Sequence, residues 1–533
     1  MGTYLNPGNS GFQRIVNGAY VDKTRMIALL NKAVDTTKNL VCVSRPRRFG
    51  KSFAAQMLCA YYDKTCDSSK LFAKYDIAGD PTYEEHLNRY NVIYLDMASI
   101  KPLTQNYRDL VAFITRQLSR EIEEACPDVK VGEDFSSTLI DVVEKTGSKF
   151  VMVLDEWDAP IRENLAIQKE YLDFLRMLFK SSGTTARIFA AAYMTGILPI
   201  KKDGSQSAVS DFQEYSMIDP RDFAEYVGFT EDEVRRECAR AGRSFESMKR
   251  WYDGYTVGDR GSMYNPYSVM QALATGQYRS YWKKTSAAET LMTYIDMDQD
   301  GLQDDVARLI AGESIVVDTD TFQNDVETFT CKDDVLALLI HLGYLTYEEV
   351  RDSYDDDDGT LTGLARIPNE EVRAEFRKIL RRATHKGLVA LVRRSDDLLK
   401  DTLAGNHEAV ARAIQEVHDS EYAPTFYNNE QSLRYVVKMA YLSCVDQYAK
   451  VEELPSGHGI ADVVFLPSRR SPLPAMVVEL KWNESASGAI AQIKEKGYHT
   501  VLRSFCGEIV LVGVSYDRKT KRHTCQIDFL GPE

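Results

Sequence analysis

The sequence predicts an α/β chain built around a parallel sheet, and three observations carry that reading. From about residue 20 to 220, short apolar strands alternate with amphipathic helices. The first apolar run, Leu40-Val41-Cys42-Val43, leads into Arg45-Pro46-Arg47-Arg48-Phe49-Gly50-Lys51-Ser52 and then into a helix starting near Phe53. A second run, Phe150-Val151-Met152-Val153-Leu154, is continuously apolar, as a strand buried on both faces must be, and it ends in Asp155-Glu156.

Strands are expected at Leu40–Ser44, Val92–Asp96, Phe150–Asp155, Arg187–Thr195 and Glu214–Ile218. After the first, a tight loop meets a helix N-terminus with Lys and Ser at the junction. Backbone N–H groups and the helix dipole then face an anion, Lys51 reaches the outer phosphates, and the Ser52 hydroxyl can hold Mg²⁺. This predicts ATP or GTP binding along Arg45–Ser52. The usual pattern, G-x-x-x-x-G-K-[ST], has Gly where this chain has Arg45, so the loop must turn without it, with Pro46 as a substitute constraint. Asp155 can hold Mg²⁺ through water, and Glu156 can orient an attacking water. Thr195 ends its strand either as a sensor of the terminal phosphate or as a simple stop before Gly196.

From about 221 to 415 the pattern changes to helices with polar loops. The helical run Val335–His341 precedes Gly343-Tyr344-Leu345-Thr346-Tyr347, which begins a hairpin returning through Leu361–Ile367. Pro368-Asn369-Glu370-Glu371 then restarts a helix, with Asn369 as its cap. Helix, two-stranded wing and helix suggest a winged-helix-like unit. Asp355-Asp356-Asp357-Asp358 at the wing tip would repel phosphates, which favours packing on protein over binding DNA. The segment Arg393–Glu416 is polar and helical.

The last constellation follows Ser456-Gly457-His458-Gly459-Ile460-Ala461-Asp462. Asp462 opens the strand Val463-Val464-Phe465-Leu466. After a turn from Pro467 to Pro474 comes Ala475-Met476-Val477-Val478-Glu479-Leu480-Lys481. Strand alternation puts Glu479 and Lys481 on one face, and an adjacent strand brings Asp462 near it. Two carboxylates that gather one or two Mg²⁺, with an ammonium to stabilise developing charge, make a metal-dependent phosphodiesterase core. Charged residues in so apolar a strand need a reason to be there.

These residues, with Tyr20-Val21-Asp22-Lys23-Thr24, Leu154-Asp155-Glu156-Trp157-Asp158-Ala159-Pro160-Ile161, Tyr193-Met194-Thr195-Gly196-Ile197, Gly228-Phe229-Thr230-Glu231, Trp251-Tyr252-Asp253-Gly254-Tyr255 and Tyr264-Asn265-Pro266-Tyr267-Ser268, resemble the AAA-ATPase-like proteins of bacteria that carry a C-terminal PD-(D/E)XK nuclease-like domain. The resemblance runs in order across nearly the whole chain. In that family Arg-Pro-Arg-Arg-Phe-Gly-Lys-Ser is the normal loop, so Arg45 is expected there. The resemblance implies a P-loop domain over 1–220 with strand order 5-1-4-3-2, a helical middle with the winged-helix-like unit over 221–415, and a restriction-endonuclease-like α/β domain over 416–533. It places Gln492, on the helix bearing Ala491-Gln492-Ile493, as a group that orients the metal water, and Glu430 as an upstream acidic metal ligand. The family commonly has Gly-Arg-x-Asp before its first nuclease strand. Here Gly459-Ile460-Ala461-Asp462 lacks that Arg, and with it a phosphate or carboxylate partner.

The composition bounds the rest. The 533 residues, 44% hydrophobic and 27% charged, suit a soluble globular protein with several cores. No stretch approaches a membrane span, and the N-terminus has neither a signal core nor, with Asn6 where Ser or Thr is wanted, a myristoylation signal. Nine cysteines without metal-like spacing read as reduced thiols of a cytoplasmic protein. The net charge of −14 argues against a surface generally coated by nucleic acid. From Arg434 to Glu533, however, 13 Lys and Arg face 11 Asp and Glu, a balance permissive for DNA.

Two functions compete. One is an ATP-dependent nuclease acting on DNA or RNA, with assembly into a homo-oligomer open to it. The other is a signalling or scaffold NTPase whose nuclease-like domain binds a partner without cutting. A motor that remodels protein or DNA is a third reading. For an arginine finger supplied by a second copy, Arg162 and Arg187 are candidates, with Lys201 and Lys202 as lysine equivalents.

Overall fold

The computed structural model describes the chain except residues 1, 133, 181, 201–208, 210, 257–260, 283–300, 321, 323–328, 330, 350–361, 381–385, 422–428, 443–447, 457–458, 468–472, 499–501, 503–507 and 532–533. The acidic tip Asp355–Asp358, Lys201 and Lys202 lie outside the described residues. Two compact units emerge, one of Met1–Lys284 with Ile315–Val372 and one of Thr285–Ser314 with Arg373–Glu533.

The first unit holds a five-stranded parallel sheet of β1 (Leu40–Ser44), β2 (Asn91–Asp96), β3 (Phe150–Asp155), β4 (Phe189–Gly196) and β5 (Gln213–Tyr215). Its order, β5-β1-β4-β3-β2, is the expected one, and β4 lies between the two strands that carry the nucleotide motifs. Every residue of β1, β3 and β4 is buried, which is why these strands read as unbroken apolar runs. Two ends differ from expectation. β4 starts at Phe189 because Ser182–Ile188 is helical. β5 stops at Tyr215 because the Arg45 guanidinium takes the carbonyls of Tyr215 and Ser216, and the Ser216 hydroxyl then accepts from the N–H groups of Ile218 and Asp219 to close a turn.

Beyond this sheet the unit adds a small antiparallel sheet of β6 (Phe229–Thr230), β7 (Tyr255–Thr256) and β8 (Ser262–Tyr264). The helix Lys332–Leu342 ends at Gly343 with φ of +83°. The expected wing follows, but with three strands. β9 (Ile315–Asp318) joins β10 (Thr346–Glu349) and β11 (Thr362–Arg366), pairing along β11. A four-residue strand whose residues come from before the helix carries no local hairpin signal, so pairing across the helix recruits it. Asn369 caps the next helix as expected, accepting from Val372 N–H at 3.1 Å.

The second unit contains a sheet of β12 (Tyr448–Ser456), β13 (Gly459–Pro467), β14 (Ala475–Trp482), β15 (Ile509–Asp517) and β16 (Arg522–Leu530), in that order. Only β14 and β15 run parallel, joined by a crossover that includes the helix Ala486–Lys496. Gly513, opposite Glu479 in the register, lets this helix lie close on the sheet. A Cβ there would collide with the Ala486 carbonyl oxygen. Gly513→Ala should therefore lower the stability of this unit by about 1–3 kcal/mol. Urea unfolding followed through an amide or tryptophan signal of the unit checks this, and an unchanged midpoint would show the contact to be slack.

No helix among the described residues is long and apolar enough to cross a membrane.

Candidate nucleotide and nuclease sites

The nucleotide site is built where β1 and β3 end. Gly50, with φ of +96°, begins the helix Lys51–Tyr62, a conformation that a side chain strains even though the space above it is open. Lys51 is buried, and its ammonium donates to the carbonyls of Arg45 and Pro46, both at 3.0 Å, inside the hollow of its own loop. Burial pulls its pKa down, while Glu156 and Asp155 oppose the shift.

Ser52 and Asp155 come together as expected. Thr195 Oγ1 donates to Asp155 Oδ1 at 2.6 Å, and the Ser52 hydroxyl lies close enough to the Asp155 carboxylate to favour its charged form. Burial raises the Asp155 pKa, and these two hydroxyls hold it back. Of the two roles open to Thr195, its hydroxyl is thus committed to fixing Asp155. Its carbonyl takes Trp157 N–H at 2.8 Å, so β4 holds the turn after β3. Glu156 sits in that turn with φ of +53°, unusual for a residue with a side chain and a mark of strain held by the surrounding fold. Burial raises its pKa, and Lys51 is the main opposing charge.

The rest of the loop departs from expectation. Arg45 was expected among the nucleotide-binding residues, but its side chain turns away from the hollow and is fully buried. Its guanidinium donates to the carbonyls of Ser44, Tyr215, Ser216 and Phe223, and its own N–H is taken by Gly196 O at 3.0 Å. Desolvation lowers its pKa to about 10. The position that normally needs Gly here carries the strand-end clamp. The side chains of Arg48 and Phe49 also leave the hollow. Arg48 donates to Tyr281 O at 2.6 Å and stacks on Tyr267 with 4.4 Å to the ring centre, while Phe49 packs edge-on against Tyr255. Pro46 lies where a Cβ on Gly343 would reach it at 2.8 Å. Arg47 contributes its carbonyl to Asn265 at 3.5 Å. With the side chains of Arg45, Arg48 and Phe49 engaged elsewhere, backbone N–H groups, Lys51, Ser52 and the Arg47 guanidinium are the groups this loop has left for a phosphate.

Arg187 lies in the helix just before β4, at the end remote from Thr195, and pairs with Glu144 at 2.7 Å on the surface. Arg162, by contrast, sits near Lys51 and Glu156 of its own chain, with Nε 2.8 Å from Asp158 Oδ2. The sequence reading gave Asp158 no role. Its Oδ2 also accepts from the N–H groups of Ile197 and Leu198 at 3.1 and 3.0 Å, tying the loop after Thr195 to the turn after Asp155.

The second site forms on the sheet of the other unit. The register Val463↔Val478 puts Asp462 and Glu479 on facing positions one step further along, and Asp462 Oδ2 accepts from Leu480 N–H at 2.9 Å. Glu479 is 2% exposed. Gln492 Nε2 donates to Glu479 Oε1, and Lys481 Nζ stands 3.9 Å from the same oxygen. Tyr498 OH lies 3.4 Å from the Gln492 amide. Glu479 Oε2 is buried and has no hydrogen-bond partner among the described residues.

Glu430 is exposed on the first turn of the helix Glu430–Ala440, and burial together with Asp462 raises its pKa. Among the described residues no three acidic, His or Cys side chains close around one point, so Glu430, expected as an upstream metal ligand, is not gathered with Asp462 and Glu479. Two neighbouring carboxylates, one with an unpartnered buried oxygen, fit a magnesium ion, which would take its remaining ligands from water and phosphate.

Arg434 was missed. It lies one turn after Glu430 and its Nη2 donates to Asp462 Oδ1 at 2.7 Å. This helix therefore supplies the guanidinium that the residue at 460 lacks, and Ile460 itself points to solvent. The available signal was the i, i+4 spacing of Glu430 and Arg434 on one helix face.

Desolvation, with Asp462 next to it, raises the Glu479 pKa from 4.5 to about 8. The native state then holds a proton that the unfolded chain releases above pH 4.5. The stability this contributes is present below about pH 4.5 and is lost as pH rises through about 8. Glu479→Gln should flatten that slope and make the unit more stable than wild type at pH 8. Millimolar Mg²⁺ or Mn²⁺ should do the same for wild type but not for the variant. Chemical unfolding at pH 5, 6.5 and 8 tests this, and parallel slopes for the two proteins would contradict a Glu479 pKa raised by burial.

Residues 8–205 match the family described as "Predicted AAA-ATPase", and residues 407–525 match the PD-(D/E)XK nuclease superfamily. The chain is 24% identical over 518 residues to an uncharacterized protein in the vnfD 5′ region of Azotobacter chroococcum mcd 1, spanning 94% of this chain and 93% of that one. Among solved structures, Cdc6p from Pyrobaculum aerophilum is similar at 12% identity, with 67% of this chain and 92% of that chain covered and a TM-score of 0.26. The ORC2 protein of Aeropyrum pernix is similar at 13% identity, with the same coverage and TM-score.

Proposed function

We propose, from a chain in which an AAA-ATPase-like region precedes a PD-(D/E)XK nuclease-like region, that the protein hydrolyses ATP at one site and cuts phosphodiester bonds of DNA or RNA at the other. The observation that carries the proposal is that the acidic groups at each end meet the partners their chemistry needs. Asp155 receives the Thr195 hydroxyl with Ser52 close by, and Glu479 presents an unpartnered buried oxygen beside Asp462 and Lys481.

At the first site Lys51 would leave its loop carbonyls for the outer phosphates, Asp155 and Ser52 would hold magnesium, and Glu156 would take the proton of the attacking water. At the second, Gln492 and Lys481 fix Glu479, and Lys481 offsets charge that builds on the phosphate. Divalent ions, when bound, supply phosphate polarisation and a more acidic water. The cytoplasm and a homo-oligomer are the setting this reading assumes.

One observation favours the second reading, a scaffold NTPase that binds without cutting. Arg434 already occupies Asp462 Oδ1, and Glu479 is largely protonated at neutral pH. A cleavage screen with Mg²⁺ and Mn²⁺ over single- and double-stranded DNA and RNA, run beside ATP hydrolysis, separates the two. Wild type should cut and hydrolyse, Lys51→Ala should lose hydrolysis, and Lys481→Ala should lose cutting. Nucleotide binding with no cleavage of any substrate would establish the scaffold.

A further inference from the structure

We propose that Arg162 is a catalytic residue of the nucleotide site acting in cis, its Nη2 donating to an oxygen of the terminal phosphate held by Lys51 of the same chain. The proposal rests on the ATP reading above.

Arg162 Nη2 is buried and has no hydrogen-bond partner among the described residues. The side chain is otherwise held. Nε is fixed on Asp158 Oδ2 at 2.8 Å, and Asp158, 3% exposed, is fixed in turn by the N–H groups of Ile197 and Leu198. The guanidinium is therefore oriented by the loop that follows Thr195, the residue that also fixes Asp155. The helix Ala159–Glu163 that carries it leaves the sheet four residues after Asp155, on the side where β3 and β4 end.

The charged groups around it are Asp158, Glu156 and Glu163, with Lys51 close enough to feel its charge. Of these, Glu163 takes the ammonium of Lys101. That leaves Asp158 as anchor and Glu156 as neighbour. A buried donor left open within electrostatic reach of Lys51 costs free energy that an incoming phosphate oxygen would recover.

In the reaction, a water oxygen bonds to the γ-phosphorus and the bond from that phosphorus to the β–γ bridging oxygen breaks. One water proton passes to Glu156. ADP leaves with the bond's electron pair on its terminal oxygen. Charge spread over the three γ-oxygens meets Lys51 on one side and Arg162 Nη2 on the other. The arrangement needs no arginine from a second copy.

The test uses the full chain and a fluorescent ADP analogue, with and without aluminium fluoride and Mg²⁺, for wild type, Arg162→Ala, Arg162→Lys and Lys51→Ala. ADP affinity of both Arg162 variants should stay within about threefold of wild type. The tightening by aluminium fluoride, and the hydrolysis rate, should fall by about 10²–10³-fold in Arg162→Ala and less in Arg162→Lys. Mixing Arg162→Ala with Lys51→Ala protein should restore no hydrolysis, because a cis arginine cannot be lent.

Recovery of activity on mixing would overturn the cis assignment. So would an undiminished fluoride effect in the folded Arg162→Lys protein, since a residue that only braces Asp158 would leave the fluoride response alone. If wild type binds no ADP and Lys51→Ala makes no difference, the nucleotide reading fails, and this proposal with it.

Discussion

Lys481→Ala is expected to reduce metal-dependent phosphodiester cleavage by about 10²–10³-fold, the usual loss when one preorganised charge at the transition state is removed. Its ammonium is half-buried and 3.9 Å from Glu479 Oε1, so it acts in a setting where water screens little. The loss should come with a second signature. Lys481 is one of the charges that lower the Glu479 pKa, so without it that pKa rises further above about 8. The acid limb of the pH–rate profile should therefore move to higher pH in whatever activity remains. Asp462→Ala should abolish cutting, because it removes a metal ligand and leaves Leu480 N–H and Arg434 without the carboxylate they hold. Cleavage that persists at wild-type rate in either variant would come from elsewhere, and the nuclease assignment would fall.

Lys51→Ala is expected to reduce ATP hydrolysis to background and to weaken nucleotide binding at least about tenfold, since one charge-assisted contact to phosphate is worth about 1.5–3 kcal/mol. The structure adds a qualification to how the result must be read. The ammonium holds two carbonyls of its own loop, of Arg45 and Pro46, and both lose a donor in the variant. A stability loss of about 1–3 kcal/mol in the first unit should accompany the functional loss. Lys51→Arg should retain much of the stability while still failing in hydrolysis, because a planar fork does not reproduce a point charge in a narrow hollow. Isothermal titration with ATP and a thermal melt of all three proteins separate these effects. Normal ATP affinity in Lys51→Ala would remove the phosphate cradle from consideration.

Much of this was readable along the chain because the signals are local. Leu40–Ser44 and Phe150–Asp155 are strands to the residue, since strands buried on both faces must be apolar throughout. Glu479 and Lys481 share a face because alternation has period two, and Gly50-Lys51-Ser52 announces a helix N-terminus. Arg45 was misread for the same reason. Beside Gly-Lys-Ser a cation looks made for phosphate, and nothing local says that its guanidinium is taken by carbonyls some 170 residues away. The third strand of the wing and the Arg434–Asp462 pair escaped likewise, because each joins segments that the sequence keeps apart.

Residue types and their periodicity were enough to establish the parallel sheet, the phosphate-facing loop and the acidic strand ends, because hydrophobic burial and backbone geometry act over a few neighbouring residues. Which side chains face the chemistry, and which are used up holding the fold, depended on the folded chain. Arg45 became a clamp, Arg162 a donor with an open hand, and Arg434 the stand-in for a missing arginine, because a buried charge takes whichever partners three-dimensional packing brings within about 3 Å.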